Sequence, residues 1–300
     1  MEPLTLAALG VAGLLVASRL AKNRSGMASP TNPNGRSNFL PSKQRDQGIF
    51  DMVAAGQYVL PDFTAVQAVR DGHLVEVYAA NDALRIGSAD LGAPRAMVSH
   101  EVAQALADAF GLFLPTSRMS DMAYLAVDPS MRIGPITRPA DVHMADEAVS
   151  ASASLQLDGV LLSKGISLGA FSRVCGKEWI TSERLLEQDG SIANVRGNGG
   201  VRIPNTVAGC NFGWQWSQGQ SKSPGGVPCI QSPGLRHDLT HFDYSQWLTL
   251  YQPTCAIDGA AWNVRDALLD PSVAYLLSDE VPKGKACRVW RHPAMPLELV

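Results

Sequence analysis

The sequence predicts an α+β protein. A helical N-terminal subdomain with short strands packs on a loop-rich, mainly antiparallel β C-terminal half, behind an N-terminal membrane helix. Three observations carry this reading. An uncharged run, LTLAALGVAGLLVA from Leu4 to Ala17, stands apart from the rest of the chain. Apolar residues then recur at helical spacing between Ser99 and Ala126. After Asp158 the texture changes, with Gly, Pro, Trp and Cys frequent and the apolar stretches short. At 300 residues, 46% apolar and 18% charged, the composition is globular and long enough for one large domain or two ordinary ones.

Extended to Leu20, the apolar run covers residues 4–20, the short end of what crosses a bilayer. Arg19, Lys22 and Arg24 follow it and Glu2 precedes it, the reverse of a cleavable signal peptide. Residues 1–22 therefore read as an anchor with the lipid bilayer as partner, and residues 23–55, rich in Pro, Asn, Ser and Gly, as a linker. The expected location is a cell envelope or a virion membrane. Basic residues after the span favour a body on the cytoplasmic side, whereas disulfides in that body would favour the other, so the side stays open. A net charge of -3 and a pI near 6.1 give no electrostatic footprint for nucleic acid, which is not expected as a partner.

Residues 56–157 form the helical subdomain. Strands are expected at Leu74–Ala79 and Ala83–Ile86, joined through Asn81-Asp82. A helix from Ser99 to Phe110 puts Val102, Leu106, Ala109 and Phe110 on one face, with Gly111 as C-cap and Pro115 blocking extension. A second runs from Ser117 to Ala126 with Met119 and Met122 inward, and a third from Pro139 to Leu157. Residues 158–300 are the β-rich part that carries any chemistry, and the C-terminal segment reads as a short helix and an edge strand. Cysteines stand at 175, 210, 229, 255 and 287 without C-x-x-C spacing, which excludes a zinc ribbon. Two readings remain: disulfides Cys210–Cys229 and Cys255–Cys287, or buried thiols.

The densest chemistry lies in PGLRHDLTHFDYSQWLTLY, Pro233 to Tyr251. Read as a strand from Thr240, it places His241, Asp243, Ser245 and Trp247 on one face. Residues four apart on a strand lie about 13 Å apart, so no local catalytic triad can form, although His241 and Asp243 can pair. Read as a helical turn, His237 and His241 at i, i+4 suit zinc, with Asp243 as third ligand. The bland alternative is histidines hydrogen-bonded to loop carbonyls. GISLG at Gly165–Gly169 fits a nucleophile elbow around Ser167, but the parallel βαβ units of a hydrolase sheet are not evident. Cys175 is a conceivable nucleophile or half of a disulfide. Trp214 and Trp216 would share a strand face, either to stack on sugar rings or to enter the core.

Several segments in order resemble a family of uncharacterised bacterial secreted or envelope proteins with phage relatives. FGLFLPTSRMSDMAYLA resembles its helix–LPT–helix segment, GKEWITSERL its lysine-led strand, and NFGWQW its YGW-like element. Cys229-Ile230-Gln231, then His237 with Asp243-Tyr244-Ser245, resemble its P-I-Q and G-H-x5-D-Y-S-H motifs. Arg236 stands in place of Gly, Gln246 in place of the final His, and Cys229 in place of Pro. The family carries no activity to transfer. The resemblance implies that Lys177, His237, Asp243 and Ser245 are the positions to watch, and it moves weight from His241 to His237.

The functional expectation is a membrane-anchored hydrolase acting on peptidoglycan or its peptides. His237 would be the acid/base and Asp243 its partner, with Ser245 and Lys177 lining the cleft. Trp214, Trp216 and Tyr244 would contact substrate. No cofactor is expected in this version. The alternatives are a non-catalytic structural protein of an envelope or membrane-containing virion, and a zinc-dependent hydrolase using His237, His241 and Asp243.

Overall fold

The computed structural model describes residues 42–88, 90–136, 147–172 and 176–295. The expected anchor and most of the linker lie outside the described residues. Among the described residues, no helix is long and apolar enough to cross a membrane. The architecture is α+β with mostly antiparallel sheets.

The first element corrects the linker. Helix α1, Ser42–Ala54, occupies its C-terminal part and buries Ile49, Phe50 and Val53 in one hydrophobic cluster with Val98, Val102 and Leu106. Its apolar stripe is short and the remainder polar, which is why composition reads as a tether. Strand β1 (Tyr58–Val59) follows, then β2 (Phe63–Arg70) and β3 (His73–Ala80), a hairpin closed by Asp71-Gly72. Both turn residues have positive φ, 48° and 87°, the conformation that matches strand twist in a two-residue loop. β4 (Arg85–Ile86) does not pair with β3 as expected but with β1. Asp82, just ahead of it, is buried in ion pairs with Arg85 and Arg95, so Asn81-Asp82 does not close a hairpin.

Helix α2 (His100–Phe110) starts at Ser99, whose hydroxyl accepts from Val102 N, and stops at Gly111 in the left-handed conformation. Helix α3 (Ser117–Ala126) is capped in the same way by Thr116. Helix α4 spans Glu147–Ser163, six residues beyond the expected end at Leu157. A buried quartet ties it to the loop after β4: Arg85 Nη2 lies 2.6 Å and Arg95 Nη1 2.8 Å from Asp158 Oδ1, and Arg95 Nε 2.7 Å from Asp82 Oδ1.

Two larger sheets complete the body. One runs β12 (Ala260–Asn263), β11 (Tyr251–Ile257), β3, β2, all antiparallel, covered by α3, α5 (Val264–Leu269) and α6 (Ala274–Leu277). The other runs β10 (Gln246–Trp247), β5 (Lys177–Trp179), β7 (Arg202–Gln215), β9 (Pro228–Asp238), β8 (Ser221–Lys222), with β6 (Asn194–Arg196) beside β7. In this second sheet the β10–β5 pair is parallel. Among the described residues no C-terminal edge strand forms as expected; Cys287 and Val289 reach the core from an irregular segment. Cys210, Cys229, Cys255 and Cys287 are buried thiols, so the disulfide reading gives way to the other. Burial pushes the Cys210 and Cys287 thiols up to about 12, which keeps them protonated and inert.

Candidate functional site

The site forms where β9 ends and the chain doubles back. His237 lies near the end of β9, opposite Gly209 of β7. The next residue builds a turn: Asp238 Oδ1 accepts from Thr240 N at 2.9 Å and Thr240 Oγ1 at 2.8 Å, and its carbonyl accepts from His241 N. This self-contained turn is the habit of Asp in such positions. It returns His241 to lie flat on His237, ring centroids 3.9 Å apart and planes 10° from parallel. The two histidines therefore sit neither on a helical turn nor on the extended strand expected from Thr240 onward.

A second turn follows. Asp243 Oδ1 accepts from Ser245 N at 2.8 Å and also from the Ser245 hydroxyl, and the Asp243 carbonyl accepts from Gln246 N. Two residues of strand, β10, then run parallel to β5 with Gln246 in register with Lys177. Lys177 N donates to Ser245 O at 2.6 Å, and this register brings Lys177 Nζ to 2.9 Å from Asp243 Oδ2. The close approach depends on Gly176, where a Cβ would lie 1.6 Å from Trp247 Cδ1.

The site has two layers. Below, Asp243, Ser245 and Lys177 are buried; above, His237 and His241 are half-buried with solvent at their edges. Burial pushes the Asp243 carboxyl up, but contact with His241, the charge of Lys177 and the Ser245 bond outweigh it and hold the group well below the usual carboxylate range. Burial is also the main influence on His237, and with the neighbouring His241 and Lys177 it pushes this ring down to about 3 against the pull of Asp243. His237 is therefore a neutral imidazole at neutral pH. His241 Nε2 lies 3.5 Å from Asp243 Oδ2, and one ligand-type atom from each of His237, His241 and Asp243 falls within 4.8 Å of the others.

Ser245 and Lys177 do not line a cleft as expected: both are buried in the lower layer and direct their polar ends at Asp243. Other expected residues stand outside the cluster. Tyr244 and Trp214 are buried against each other in the cluster beneath α4, ring centroids 6.2 Å apart. Trp216 lies just past the end of β7, half-buried beside Gly134. Gly213 and Trp214 have positive φ, 117° and 53°, which breaks the strand alternation, so the two tryptophans do not share a face. Ser167 follows helix α4 where an elbow needs a strand, and Cys175 lies outside the described residues.

Two buried amides of this sheet, Gln246 and Asn211, carry no signal in the sequence. Gln246 is fully buried and, among the described residues, neither of its amide atoms has a hydrogen-bond partner. Asn211 Oδ1 accepts from Gln231 Nε2 at 2.5 Å while its Nδ2 has none among the described residues. Nothing in the sequence separates these amides from surface ones. Comparison with protein-family models, curated proteins and solved structures finds no match for the chain.

Proposed function

We propose that the chain is a hydrolase of the cell envelope, acting on peptidoglycan or its peptides with water as nucleophile at the His237–His241–Asp243–Lys177 cluster. The observation behind this reading is the layering of the site: two half-exposed, stacked imidazoles over a buried ion pair. A general base needs a solvent-facing imidazole and a fixed counter-charge behind it, and a pair so arranged contributes roughly 10²–10⁴-fold to rate. The role expected of His237 passes to His241, the ring that faces Asp243. His237, kept neutral, packs flat on His241 and limits its rotation. Lys177 keeps Asp243 ionised, and Ser245 fixes the carboxylate's other oxygen. The envelope assignment is supported by the apolar run at residues 4–20, the Pro-, Asn- and Ser-rich composition of residues 23–41 and the family resemblance.

A second reading is a non-catalytic component of an envelope or of a membrane-containing virion. It is favoured by the complete burial of Asp243, whose three hydrogen bonds would serve as well to hold a turn. A peptidoglycan zymogram of the full-length chain separates the two. Wild type is expected to clear the gel and His241→Ala to lose clearing without a change in unfolding midpoint. A wild type that leaves peptidoglycan intact both with and without added zinc would rule out the hydrolase and leave the structural component.

A further inference from the structure

We infer that His237, His241 and Asp243 bind one divalent transition ion of the zinc class, leaving a coordination position open to water. The inference rests on the hydrolase reading for its catalytic meaning, but the ion site stands on its own geometry. All three donors come from the seven-residue segment His237–Asp243, shaped by the two turns already described. Around a tetrahedral zinc with bonds of about 2.0–2.2 Å, donor atoms sit roughly 3.4 Å apart. His241 Nε2 and Asp243 Oδ2, 3.5 Å apart, already stand at that separation. A nitrogen of His237 lies within 4.8 Å of both, so turning one ring out of the stack completes the set.

Two further observations point to a ligand. His241 Nε2 is buried, and its contact with Asp243 Oδ2 at 3.5 Å is too long for a well-formed hydrogen bond. A buried polar atom satisfied so loosely has room for an ion between it and the carboxylate. The second is the state of the carboxylate. Asp243 Oδ1 is fixed by Ser245 N and the Ser245 hydroxyl, the kind of outer support that orients a ligating carboxylate, while Oδ2 faces both His241 and Lys177. Lys177 Nζ then acts as a placeholder cation: it compensates Asp243 in the ion-free protein and withdraws from Oδ2 when the ion arrives. Two imidazoles and one carboxylate are hard-to-borderline donors that suit zinc and its neighbours, with no soft sulfur to favour copper(I). Half-exposure of both rings leaves the fourth position accessible, as in hydrolytic zinc sites.

The test is calorimetric titration of the full-length, chelator-stripped chain with zinc sulfate, repeated with cobalt(II) and read by visible absorption. One zinc per chain is expected, with the intense tetrahedral bands of cobalt(II). His241→Ala and His237→Ala should each weaken binding at least 100-fold, and Lys177→Met should tighten it by removing the competing charge. If wild type takes up no ion, or if both histidine variants bind as wild type does, the site is overturned. If Lys177→Met unfolds, the two histidine variants decide alone. Peptidoglycan clearing by stripped and zinc-loaded protein separates the two proposals. Clearing by stripped protein that gains nothing from zinc would defeat the ion while sparing the hydrolase. Tight zinc binding without clearing in either form would defeat the hydrolase while sparing the ion site.

Discussion

Asp243 ties Lys177, Ser245 and His241 into one cluster. It is fully buried, yet contact with His241, the charge of Lys177 and the Ser245 bonds outweigh burial and hold its carboxyl well below the usual carboxylate range. A buried pair of this kind adds little over a well-packed apolar pair, but removing one member strands the other, at roughly 3–5 kcal/mol. Asp243→Asn should therefore lower stability by that order in urea unfolding, and the double variant Lys177→Met, Asp243→Leu should lose clearly less than the single one. Equal losses in the two would mean that the pair is not electrostatically coupled. Part of this residue set was legible in the sequence. His237, Asp243 and Ser245 stand close together in it, whereas Lys177 entered only through the family resemblance; Lys177 beside Glu178 otherwise reads as a solvated surface pair, yet both are buried and Lys177 meets Asp243 from 66 residues away. The stacking of His237 on His241 was not legible. It depends on Asp238 spending its side chain on Thr240, and a turn of that kind is invisible to strand or helix periodicity.

At the scale of elements, the site depends on a two-residue strand. β10 pairs parallel with β5, and this register sets Lys177 beside Asp243. Trp247 packs directly over Gly176, so a methyl group there has no room. Gly176→Ala should cost about 1–3 kcal/mol through overpacking, and, by displacing β10, should reduce activity more than the stability loss alone implies. Unchanged unfolding and activity in that variant would show that β10 can shift without consequence. Elements closed by local chemistry were the ones the sequence predicted well. α2 and α3 begin at Ser99 and at Thr116, and α2 stops at Gly111, because those residues supply the missing hydrogen bonds or the left-handed turn. Elements set by distant partners escaped prediction. β4 pairs with β1 rather than β3, since Asp82 is claimed by Arg85 and Arg95, and α1 is held by a core that its own composition does not announce.

Across the whole molecule, a second histidine pair joins α2, the large sheet and the C-terminal segment. His100 stacks on Trp179 at 5.0 Å between ring centroids and meets His292 edge-on at 4.8 Å. Cys210 N donates to His100 Nδ1, and His292 Nε2 lies 2.9 Å from the Ala208 carbonyl oxygen. Burial pushes His292 down to about 4 and His100 well below its ordinary value. Both are neutral in the fold, whereas in the unfolded chain they take up protons near pH 6.5. Between those values the unfolded chain binds more protons, so the stability they contribute is complete above pH 6.5 and is lost as pH falls towards 4. For one such histidine the slope is roughly 1.4 kcal/mol per pH unit. The urea midpoint should fall across that window, and His292→Gln should flatten the fall. A midpoint independent of pH there would contradict the assignment.

The central claim is that the His237–His241–Asp243–Lys177 cluster is a hydrolytic centre, and the most direct measurement is the release of soluble fragments from purified peptidoglycan by the full-length chain. Wild type is expected to release fragments in proportion to enzyme and time. His241→Ala, folded and of unchanged unfolding midpoint, should lower the rate by roughly 10²–10⁴-fold. Release that is equal in wild type and His241→Ala, or absent from both with and without added zinc, would contradict the account.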